Sequence, residues 1–353
     1  MRRRIKSALS KRPREYMPGK LGVDFSGISD DSRSVRKGDL FFAIQGSRMD
    51  GRRFIDEAAS KGAVAVVTSK NTPRGRNKIK MIRVDNPRAE LAMLASEFYG
   101  RPSDRIKVIG ITGTNGKTTI SHLLAAIFKK AAQEPGIIGT VAHRWKDTVI
   151  EAKNTTPGSI EVQRLLSRML NDGVRCCAME VSSHSLDQDR VLGINFSTAV
   201  FTNITREHLD YHKTFENYLE AKIKLFRNLD IGRFAVLNLD DPNFLRIRNS
   251  ARGRVLTYGL KGPADISAEK IKFYIDKTEF LVRSPGRSFS VTTPLIGLFN
   301  VYNILAAVGA AFAEGIQIED IKKAISDFRG AQGRLEPVDA IARGGFKSTG
   351  FRV

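Results

Sequence analysis

The segment Ile109–Thr119 reads IGITGTNGKTT, and it joins a strand pattern to a helix pattern through a glycine-rich turn. The apolar residues 106–111 that lead into it suit a buried strand, and residues 121–130 behind it have helical spacing. Such a turn lets backbone N–H groups converge on phosphate oxygens at the start of a helix, with a lysine for the outer phosphates and a hydroxyl for Mg²⁺. The residues that supply these parts are Gly113, Gly116, Lys117 and Thr118.

The spacing departs from the strict phosphate-loop pattern G-x-x-x-x-G-K-[ST], because Ile111 stands at the position of its first glycine. A glycine-rich turn that binds nothing is the alternative, and the strand-to-helix context favours nucleotide binding over it. We therefore predict a nucleotide-phosphate site formed by Gly113, Thr114, Asn115, Gly116, Lys117, Thr118 and Thr119.

The composition is that of a globular protein, with 41% hydrophobic and 27% charged residues in a chain of 353. No run approaches the roughly 18 apolar residues of a membrane span, so we expect a cytoplasmic protein without membrane insertion. The net charge of +21 favours polyanionic partners, either nucleic acid or a ligand with phosphates and carboxylates. Since the chain has no zinc-finger spacing and no ribonucleoprotein aromatic motif, we expect no nucleic-acid partner.

The pattern of the chain changes near Ser103. Residues 1–103 read as a small α/β domain with three short strand patterns. Residues 104–334 alternate buried-strand runs with helical patterns, which predicts a mostly parallel sheet, and an antiparallel hairpin is expected within residues 273–291. Residues 335–353 form a remnant with a glycine-rich, basic tail that shows no strand pattern.

Further segments, collinear from about residue 26 to 338, resemble the Mur ligase family, and within it the type that adds the third amino acid of the peptide (MurE type). These segments are Thr155–Pro157, Met179–His184 (MEVSSH), Arg190-Val191, Phe201–His212 (FTNITREHLDYH), Tyr218–Lys222 (YLEAK), Asn238–Asp241, Leu298–Asn303 and Gly333–Pro337. Upstream, Asp31–Arg33 and Gly38–Phe41 resemble the uridine-binding first domain of that family.

The resemblance implies an α/β fold with a small uridine-binding domain, a phosphate-loop ATPase domain and a third, Rossmann-like domain that is missing here. It implies an ATP- and Mg²⁺-dependent ligase of peptidoglycan precursor synthesis. Its substrates are UDP-N-acetylmuramoyl-L-alanyl-D-glutamate and an amino acid, diaminopimelate or lysine. Because the third domain supplies the amino acid in this family, we expect the present chain to ligate weakly or not at all.

The resemblance also implies a catalytic set in which Thr118, Glu180, His208 and a carbamylated Lys222 (N6-carboxylysine) hold Mg²⁺ beside Lys117. Independently, Glu180 ends a buried strand at the edge where open α/β sheets bind ligands. His208 and His212 stand four residues apart, as in zinc proteases, but Leu209 occupies the position of the catalytic glutamate. His212 is expected either to bind the metal or only to pack.

The remaining predicted contacts also follow from the resemblance. For the muramoyl peptide and its uridine diphosphate they are Ser32, Arg33, Thr155, Thr156, Ser182, Gln188 and Arg190; for ATP they are Asn300, Asn303 and Arg334. The alternatives are an ordinary Asp-Ser turn at Ser32 and helix capping by the asparagines. Asp85–Arg88 spells the family's amino-acid-binding motif, but it precedes the phosphate loop, and we interpret Asn86-Pro87 as a helix start.

Two departures and three other interpretations remain. Glu207 stands where the family carries aspartate, and the tail after Val338 does not continue the family pattern. The first alternative is that the chain is a non-catalytic nucleotide-binding fragment, or a subunit completed by a separate chain. A folylpolyglutamate synthetase shares the ATP loop but not the MEVSSH segment, and a nucleic-acid binder is the most distant alternative.

Overall fold

The computed structural model describes residues 22–46, 49–73, 78–331, 336–341 and 347–352. The chain divides into two compact units, which, unlike the ranges predicted from sequence, are not continuous. The first comprises Met1–Pro102, Gly158–Ser167 and Gln188–Ile194; the second comprises Ser103–Pro157, Arg168–Asp187 and Asn195–Val353.

The first unit is built on a parallel four-stranded sheet of order β1-β2-β3-β4. Its elements are β1 (Gly27–Ser29), β2 (Asp39–Phe42), α1 (Ile55–Ser60), β3 (Ala65–Ser69), β4 (Lys80–Val84) and α2 (Pro87–Phe98). Successive side chains of a strand point to opposite faces. Leu40 therefore packs with Leu94 of α2 on one face, and Phe41 packs with Ala58 of α1 on the other.

The start of α2 agrees with the helix prediction for Asn86-Pro87. The Asn86 side chain accepts hydrogen bonds from the backbone N–H groups of Arg88 and Ala89, and Pro87 is the first helical residue. An asparagine cap followed by proline satisfies the free N–H groups of a helix start. The Asp85–Arg88 sequence is thus accounted for by helix capping.

The second unit contains an eleven-stranded sheet of order β15-β14-β13-β12-β11-β10-β5-β9-β6-β7-β8. Its strands are β5 (Lys107–Thr112), β6 (Pro135–Ile138), β7 (Ala142–Trp145), β8 (Thr148–Glu151), β9 (Cys176–Glu180), β10 (Phe196–Phe201), β11 (Phe234–Asn238), β12 (Arg254–Gly259), β13 (Ile266–Phe273), β14 (Thr278–Ser284) and β15 (Arg287–Thr293). The strands from β6 to β13 in this order are parallel, and an antiparallel pair extends each edge. The predicted mostly parallel sheet is confirmed.

The remaining helices are α3 (Lys117–Lys130), α4 (Ser159–Asn171), α5 (Ser183–Asp187), α6 (Leu209–His212), α7 (Phe215–Arg227), α8 (Phe244–Ser250), α9 (Leu298–Ala313) and α10 (Ile318–Asp327). Residues 159–167 of α4 belong to the first unit. Both faces of the central strands are covered: α3 and α9 pack on one face, and α7 packs on the other. One core joins Ile109 of β5 to Leu124 of α3 and Ile304 of α9. On the other face, the rings of Phe201 and Phe226 lie 6.3 Å apart. Burial on both faces explains why β5, β9 and β10 read as nearly continuous apolar runs.

Several elements differ from the sequence-based expectation. The strands β6, β7 and β8 were not predicted. β6 begins with Pro135-Gly136 and β7 contains His143-Arg144, and these residues give no apolar strand pattern in so short a segment. In the tail, where no strand pattern was expected, β16 (Glu336–Ile341) pairs antiparallel with β17 (Lys347–Arg352). That expectation was wrong, because pairing in a local hairpin does not require an apolar run. No helix among the described residues is long and apolar enough to cross a membrane.

Candidate functional site

The glycine-rich turn follows β5 and leads directly into α3, which begins at Lys117. Gly113 and Gly116 have φ angles of 150° and 92°, a region that disfavours other residues. A Cβ atom at Gly113 would overlap the Thr202 hydroxyl, and one at Gly116 would overlap the Asn303 amide oxygen. Both glycines are therefore required by backbone conformation and by close approach of neighbouring side chains.

The end of β10 holds this loop in shape. The Thr202 hydroxyl donates to the Asn115 carbonyl at 2.6 Å, and the Asn115 N–H donates to the Asn203 side chain at 3.0 Å. The Thr114 N–H donates to the Asn203 carbonyl at 2.8 Å. The loop is thus preformed by a neighbouring strand, and the N-terminus of α3 points into the space that it encloses.

Lys117 lies over the loop. Its ammonium donates to the carbonyls of Gly113 at 2.9 Å and Thr114 at 2.7 Å. An ammonium on a flexible stem can exchange such carbonyls for phosphate oxygens, which are stronger acceptors. The lysine is therefore placed to bind an anion at this helix start.

Glu180 is the last residue of β9, paired with Ile111 of β5, and its side chain is 1% exposed. Three neutral donors bind its carboxylate. The Thr118 hydroxyl donates to Oε2 at 3.0 Å, the Thr140 hydroxyl donates to Oε2 at 2.9 Å, and the Thr140 N–H donates to Oε1 at 3.0 Å. A buried carboxylate bound by neutral donors keeps its negative charge available to a cation.

Lys222 projects from α7 towards the same loop and is 1% exposed. Its ammonium donates to the Gly113 carbonyl at 2.9 Å and lies 4.5 Å from the centre of the Tyr218 ring. Burial, and after it the charge of Lys117, lower the pKa of Lys222 well below its ordinary value. A buried amine of this kind carries a neutral fraction that an exposed lysine lacks.

The two histidines of the HLDYH segment have separate positions. His208 precedes α6 with a left-handed φ of 55°, lines the cleft, and has Nε2 3.8 Å from Oε2 of Glu207. His212 is buried at the end of α6, with Nε2 2.9 Å from the Ser183 hydroxyl. Because His208 lies before the helix rather than within it, the four-residue spacing does not align the two rings. The packing interpretation of His212 fits its position.

Around the loop lies a cleft of about 270 Å³ that collects most of the predicted side chains of this unit. It is lined by the residues from Gly113 to Thr119 and by Thr140, Thr155, Glu180, Ser182, Ser183, Glu207, His208, Tyr218 and Lys222. A second cavity of about 700 Å³ shares Asn115 and Gly116 with the cleft, and Asn303 and Tyr302 line it. The loop therefore borders two cavities in one unit.

Some predicted residues in this unit lie outside the cleft and have hydrogen-bond partners within the protein. The Thr156 hydroxyl is buried, donates to the Glu180 carbonyl at 2.8 Å and accepts from the Ser182 N–H at 3.0 Å. The Asn300 amide donates to the Ile296 carbonyl at 2.9 Å, and the cap residue of α9 is Gly297, so Asn300 does not cap this helix. Arg334 lies outside the described residues.

Four predicted residues belong to the first unit. Ser32 is buried and donates to Glu57 at 2.9 Å, whereas Arg33 is exposed and forms a two-pronged pair with Asp31, its Nη2 donating at 2.7 Å. Asp31 also caps the short 3₁₀ turn that they form, which fits the Asp-Ser turn alternative. Arg190 Nη2 donates to the Gln188 side chain at 2.7 Å.

Thr140 is the residue of the cleft that sequence reasoning missed. It lies between β6 and β7, which no pattern had revealed. Ser183, Glu207 and Tyr218 also line the cleft, and they stand inside segments that were singled out without a role for them. The missed signal for Thr140 is Gly139-Thr140 itself, a small residue and a hydroxyl after an apolar pair, which is too short to be specific.

The cleft suits a cation that is bound partly by protein oxygens and partly by ligand phosphates, rather than one that is held by protein side chains alone. Among the residues that the structure describes, no three His, Cys, Asp or Glu side chains are grouped to hold a metal. Thr118 and Glu180 nevertheless place two oxygens together at the phosphate loop. Mg²⁺ is typically bound by one or two carboxylates plus ligand phosphates, and the residues present fit that mode.

A glycine loop between a strand and a helix, opposite a strand-end carboxylate in a mostly parallel sheet, defines a phosphate-loop nucleotide-binding α/β protein. Residues 111–311 match the Mur ligase middle domain, and residues 24–99 match a domain described as Mur ligase family, catalytic domain. The chain belongs to the Mur ligase family.

Its relatives include UDP-N-acetylmuramoyl-L-alanyl-D-glutamate–2,6-diaminopimelate ligases. That of Bacillus licheniformis is 42% identical over 328 residues, which cover 91% of this chain and 67% of the relative. That of Clostridium tetani is 40% identical over 337 residues, covering 95% and 69%. The chain thus spans about two thirds of the length of these relatives.

Solved structures of Mur ligases also superpose on this chain. A ligase of the same name superposes with a TM-score of 0.81 at 30% identity, covering 92% of this chain and 67% of the other. A MurF of Acinetobacter baumannii gives 0.64 at 25% identity, covering 90% and 66%. A Mycobacterium tuberculosis folylpolyglutamate synthase gives 0.59 at 15% identity, covering 70% and 64%, which shows a shared fold alone.

The close approach at Gly116 predicts a measurable difference between two glycine substitutions. Gly232 has a similar φ of 96°, but a Cβ there meets nothing within 4 Å. Gly232→Ala should cost about 1 kcal/mol through backbone strain alone. Gly116→Ala should cost roughly 1 kcal/mol more, because its methyl group also displaces Asn303. The only tryptophan, Trp145, lies in the second unit, so its fluorescence in urea reports the unfolding of that unit. Equal losses for both variants would contradict the close approach.

Proposed function

We propose that this chain binds Mg·ATP and UDP-N-acetylmuramoyl-L-alanyl-D-glutamate and activates the D-glutamate carboxylate for addition of the third amino acid of the peptide. The amino acid is diaminopimelate, as in the names of the relatives. The observation that carries the proposal is the Thr118–Glu180 hydrogen bond beside Lys117 at a helix start. We assign the activity to the cytoplasm, where ATP is available.

The chemistry balances as two displacements. A carboxylate oxygen of D-glutamate attacks the γ-phosphorus of ATP, which forms an acyl phosphate and releases ADP. The amine of the incoming amino acid then attacks the acyl carbon, phosphate leaves, and the amine loses a proton as the amide forms. Lys117 offsets charge on the γ-phosphoryl, and the backbone N–H groups of the loop orient the triphosphate.

Thr118 and Glu180 are the proposed ligands of one Mg²⁺, and His208 with a carbamylated Lys222 those of a second. When bound, Mg²⁺ neutralises charge on the triphosphate and orients the γ-phosphoryl. The left-handed backbone of His208 supports a functional role, because strained positions cluster at active sites. Buried Glu180 contributes a fixed negative charge that a lone hydroxyl could not supply.

The proposed substrate contacts use the side chains that face the cavities. Thr155 and Ser182 bind the peptide end, supported by their position on the cleft around the phosphate loop. Asn303 binds the adenine side of ATP, supported by its position on the second cavity. Ser32, Arg33, Gln188 and Arg190 of the first unit are proposed contacts of the remainder of the UDP-muramoyl ligand.

Lys222 is suited to carbamylation by its environment. A neutral amine attacks the carbon of CO₂, a new N–C bond forms, and loss of one proton leaves a carbamate anion. Its burial and lowered pKa raise the neutral fraction of this amine above that of an exposed lysine. The modification replaces a buried cation beside Lys117 by an anion, which removes a like-charge repulsion.

Calorimetric titration with UDP-N-acetylmuramoyl-L-alanyl-D-glutamate, in the presence of Mg²⁺ and a non-hydrolysable ATP analogue, tests the proposed function. We expect saturable binding that folate does not displace. Arg190→Ala should weaken it about 10- to 100-fold, through loss of a charged hydrogen bond. Arg287→Ala removes an exposed arginine of β15 and should change nothing. Displacement by folate, or no binding, would refute the assignment. Binding without any ADP release when ATP and diaminopimelate are supplied would favour the non-catalytic alternative.

Carbon-13 NMR after addition of labelled bicarbonate tests the modification. The wild-type chain should show a carbamate resonance that weakens as the pH is lowered, because protonation of the amine competes with CO₂. Lys222→Ala should lose the resonance. Lys224→Ala should keep it, since Lys224 is only half-buried and lies on another side of α7. Persistence in the Lys222 variant would assign the adduct to another amine.

A further inference from the structure

Thr140 holds the Glu180 carboxylate by two groups at once. Its N–H donates to Oε1 at 3.0 Å and its hydroxyl to Oε2 at 2.9 Å. The preceding residue, Gly139, approaches so closely that a Cβ atom there would overlap Oε1. The turn after β6 is therefore shaped around this carboxylate, and Thr140 itself is exposed to the cleft.

The Thr140 hydroxyl has a second neighbour. Its oxygen lies 3.1 Å from the hydroxyl oxygen of Thr155, which also lines the cleft. A hydroxyl carries a single proton, so it cannot donate to both neighbours. The Glu180 carboxylate is the stronger acceptor because it is charged. Both contacts have the geometry of donation by the Thr140 hydroxyl. Its proton therefore goes to Glu180, and the Thr155 oxygen is the alternative acceptor.

These contacts form one chain of hydrogen bonds within the second unit. The Thr140 hydroxyl is placed to donate either to Glu180 or to Thr155, and Thr118 of the phosphate loop donates to the same Glu180 oxygen. We infer that Thr140 is a positioning residue that couples the nucleotide and cation side of the cleft to the side that binds the peptide carboxylate. This inference rests on the proposed function.

Whether bound nucleotide strengthens or weakens peptide binding follows from which acceptor takes the Thr140 proton. A cation bound at Glu180 draws on the carboxylate charge and makes it a weaker acceptor for Thr140. The Thr140 proton can then turn to the Thr155 oxygen, and a hydroxyl that accepts a hydrogen bond becomes a stronger donor itself. The Thr155 hydroxyl then donates more strongly to the D-glutamate carboxylate. Bound Mg-nucleotide should therefore strengthen the binding of the muramoyl peptide.

The test is the dissociation constant of UDP-N-acetylmuramoyl-L-alanyl-D-glutamate, measured by calorimetry with and without saturating Mg²⁺ and a non-hydrolysable ATP analogue. In the wild-type chain the nucleotide should tighten binding about 5- to 50-fold, within the usual range of coupling between sites. The coupling factor is the dissociation constant without nucleotide divided by the dissociation constant with nucleotide. Thr140→Val keeps the backbone N–H and loses the hydroxyl, so its coupling factor should fall towards one. Its affinity without nucleotide should stay within about threefold. Thr140→Ser restores the hydroxyl and should restore the factor.

Thr257 offers a matched control. Its N–H and hydroxyl both donate to one oxygen of the Asp265 carboxylate, at 2.8 and 2.7 Å, a similar pair of bonds away from the cleft. Thr257→Val should leave the factor unchanged. If Thr140→Val fails to fold, as judged by Trp145 fluorescence, Thr155→Val breaks the same chain and should also reduce the factor towards one.

The outcomes separate the inference from the proposed function. Absence of any Mg-dependent nucleotide binding or of any peptide binding in the wild-type chain refutes the proposed function, and the inference falls with it. Binding of both ligands with a factor of one in the wild-type chain refutes the inference alone. So does a full factor in folded Thr140→Val, or a lost factor in Thr140→Ser.

Discussion

The hydrogen bond between Thr118 and Glu180 is the contact on which the site depends. Parallel pairing of β5 with β9 puts Ile111 opposite Glu180, so the acid ends its strand where the phosphate loop begins. A carboxylate that is 1% exposed needs hydrogen-bond partners, because burying a charge without them costs several kcal/mol, on the order of the stability of a domain. Thr118 and Thr140 provide those partners. Because these donors are neutral, they do not cancel the negative charge of the Glu180 carboxylate, which can then attract a bound cation.

Two lysines, the half-buried Lys117 and the buried Lys222, line the same cleft as that carboxylate. Lys117 and Lys222 both donate to the Gly113 carbonyl, at 2.9 Å each. Neighbouring cations repel each other, and for Lys222 this adds to burial in lowering its pKa. A site that holds two amines and one carboxylate in a small cleft favours a highly charged anion together with a cation. The arrangement of these charged side chains is therefore complementary to a metal–triphosphate.

Much of this could be predicted from the sequence, because the signals are local. The strand, loop and helix around Gly113 follow one another in the chain, and buried parallel strands such as β9 read as apolar runs. Glu180 stands in the MEVSSH segment that resembles the family, and its place at the end of such a run supports its role independently. By contrast, Thr140 lies after a four-residue strand that starts with proline and glycine, so neither a period nor an apolar run marked it.

The His208–His212 pair shows a different limit. Their spacing predicts a shared face only if both residues lie within one helix, and His208 adopts a left-handed conformation just before α6. Likewise, two segments of the middle of the chain, Gly158–Ser167 and Gln188–Ile194, belong to the first unit. Both features depend on tertiary contacts that the order of residues does not encode locally. The β16–β17 pair is a separate case: its contacts are local, but no apolar run accompanies them.

The central claim is that Lys117 and Glu180 face each other across a magnesium-bound triphosphate. Calorimetric titration of the chain with ATP, with and without Mg²⁺, tests it most directly. The account predicts Mg-dependent binding that Lys117→Ala weakens about 10- to 100-fold and that Glu180→Gln makes independent of Mg²⁺. Lys129→Ala, at the exposed far end of the same helix, should bind like the wild-type chain. Unchanged affinity in Lys117→Ala, or ATP binding that is indifferent to Mg²⁺ in the wild-type chain, would contradict the account.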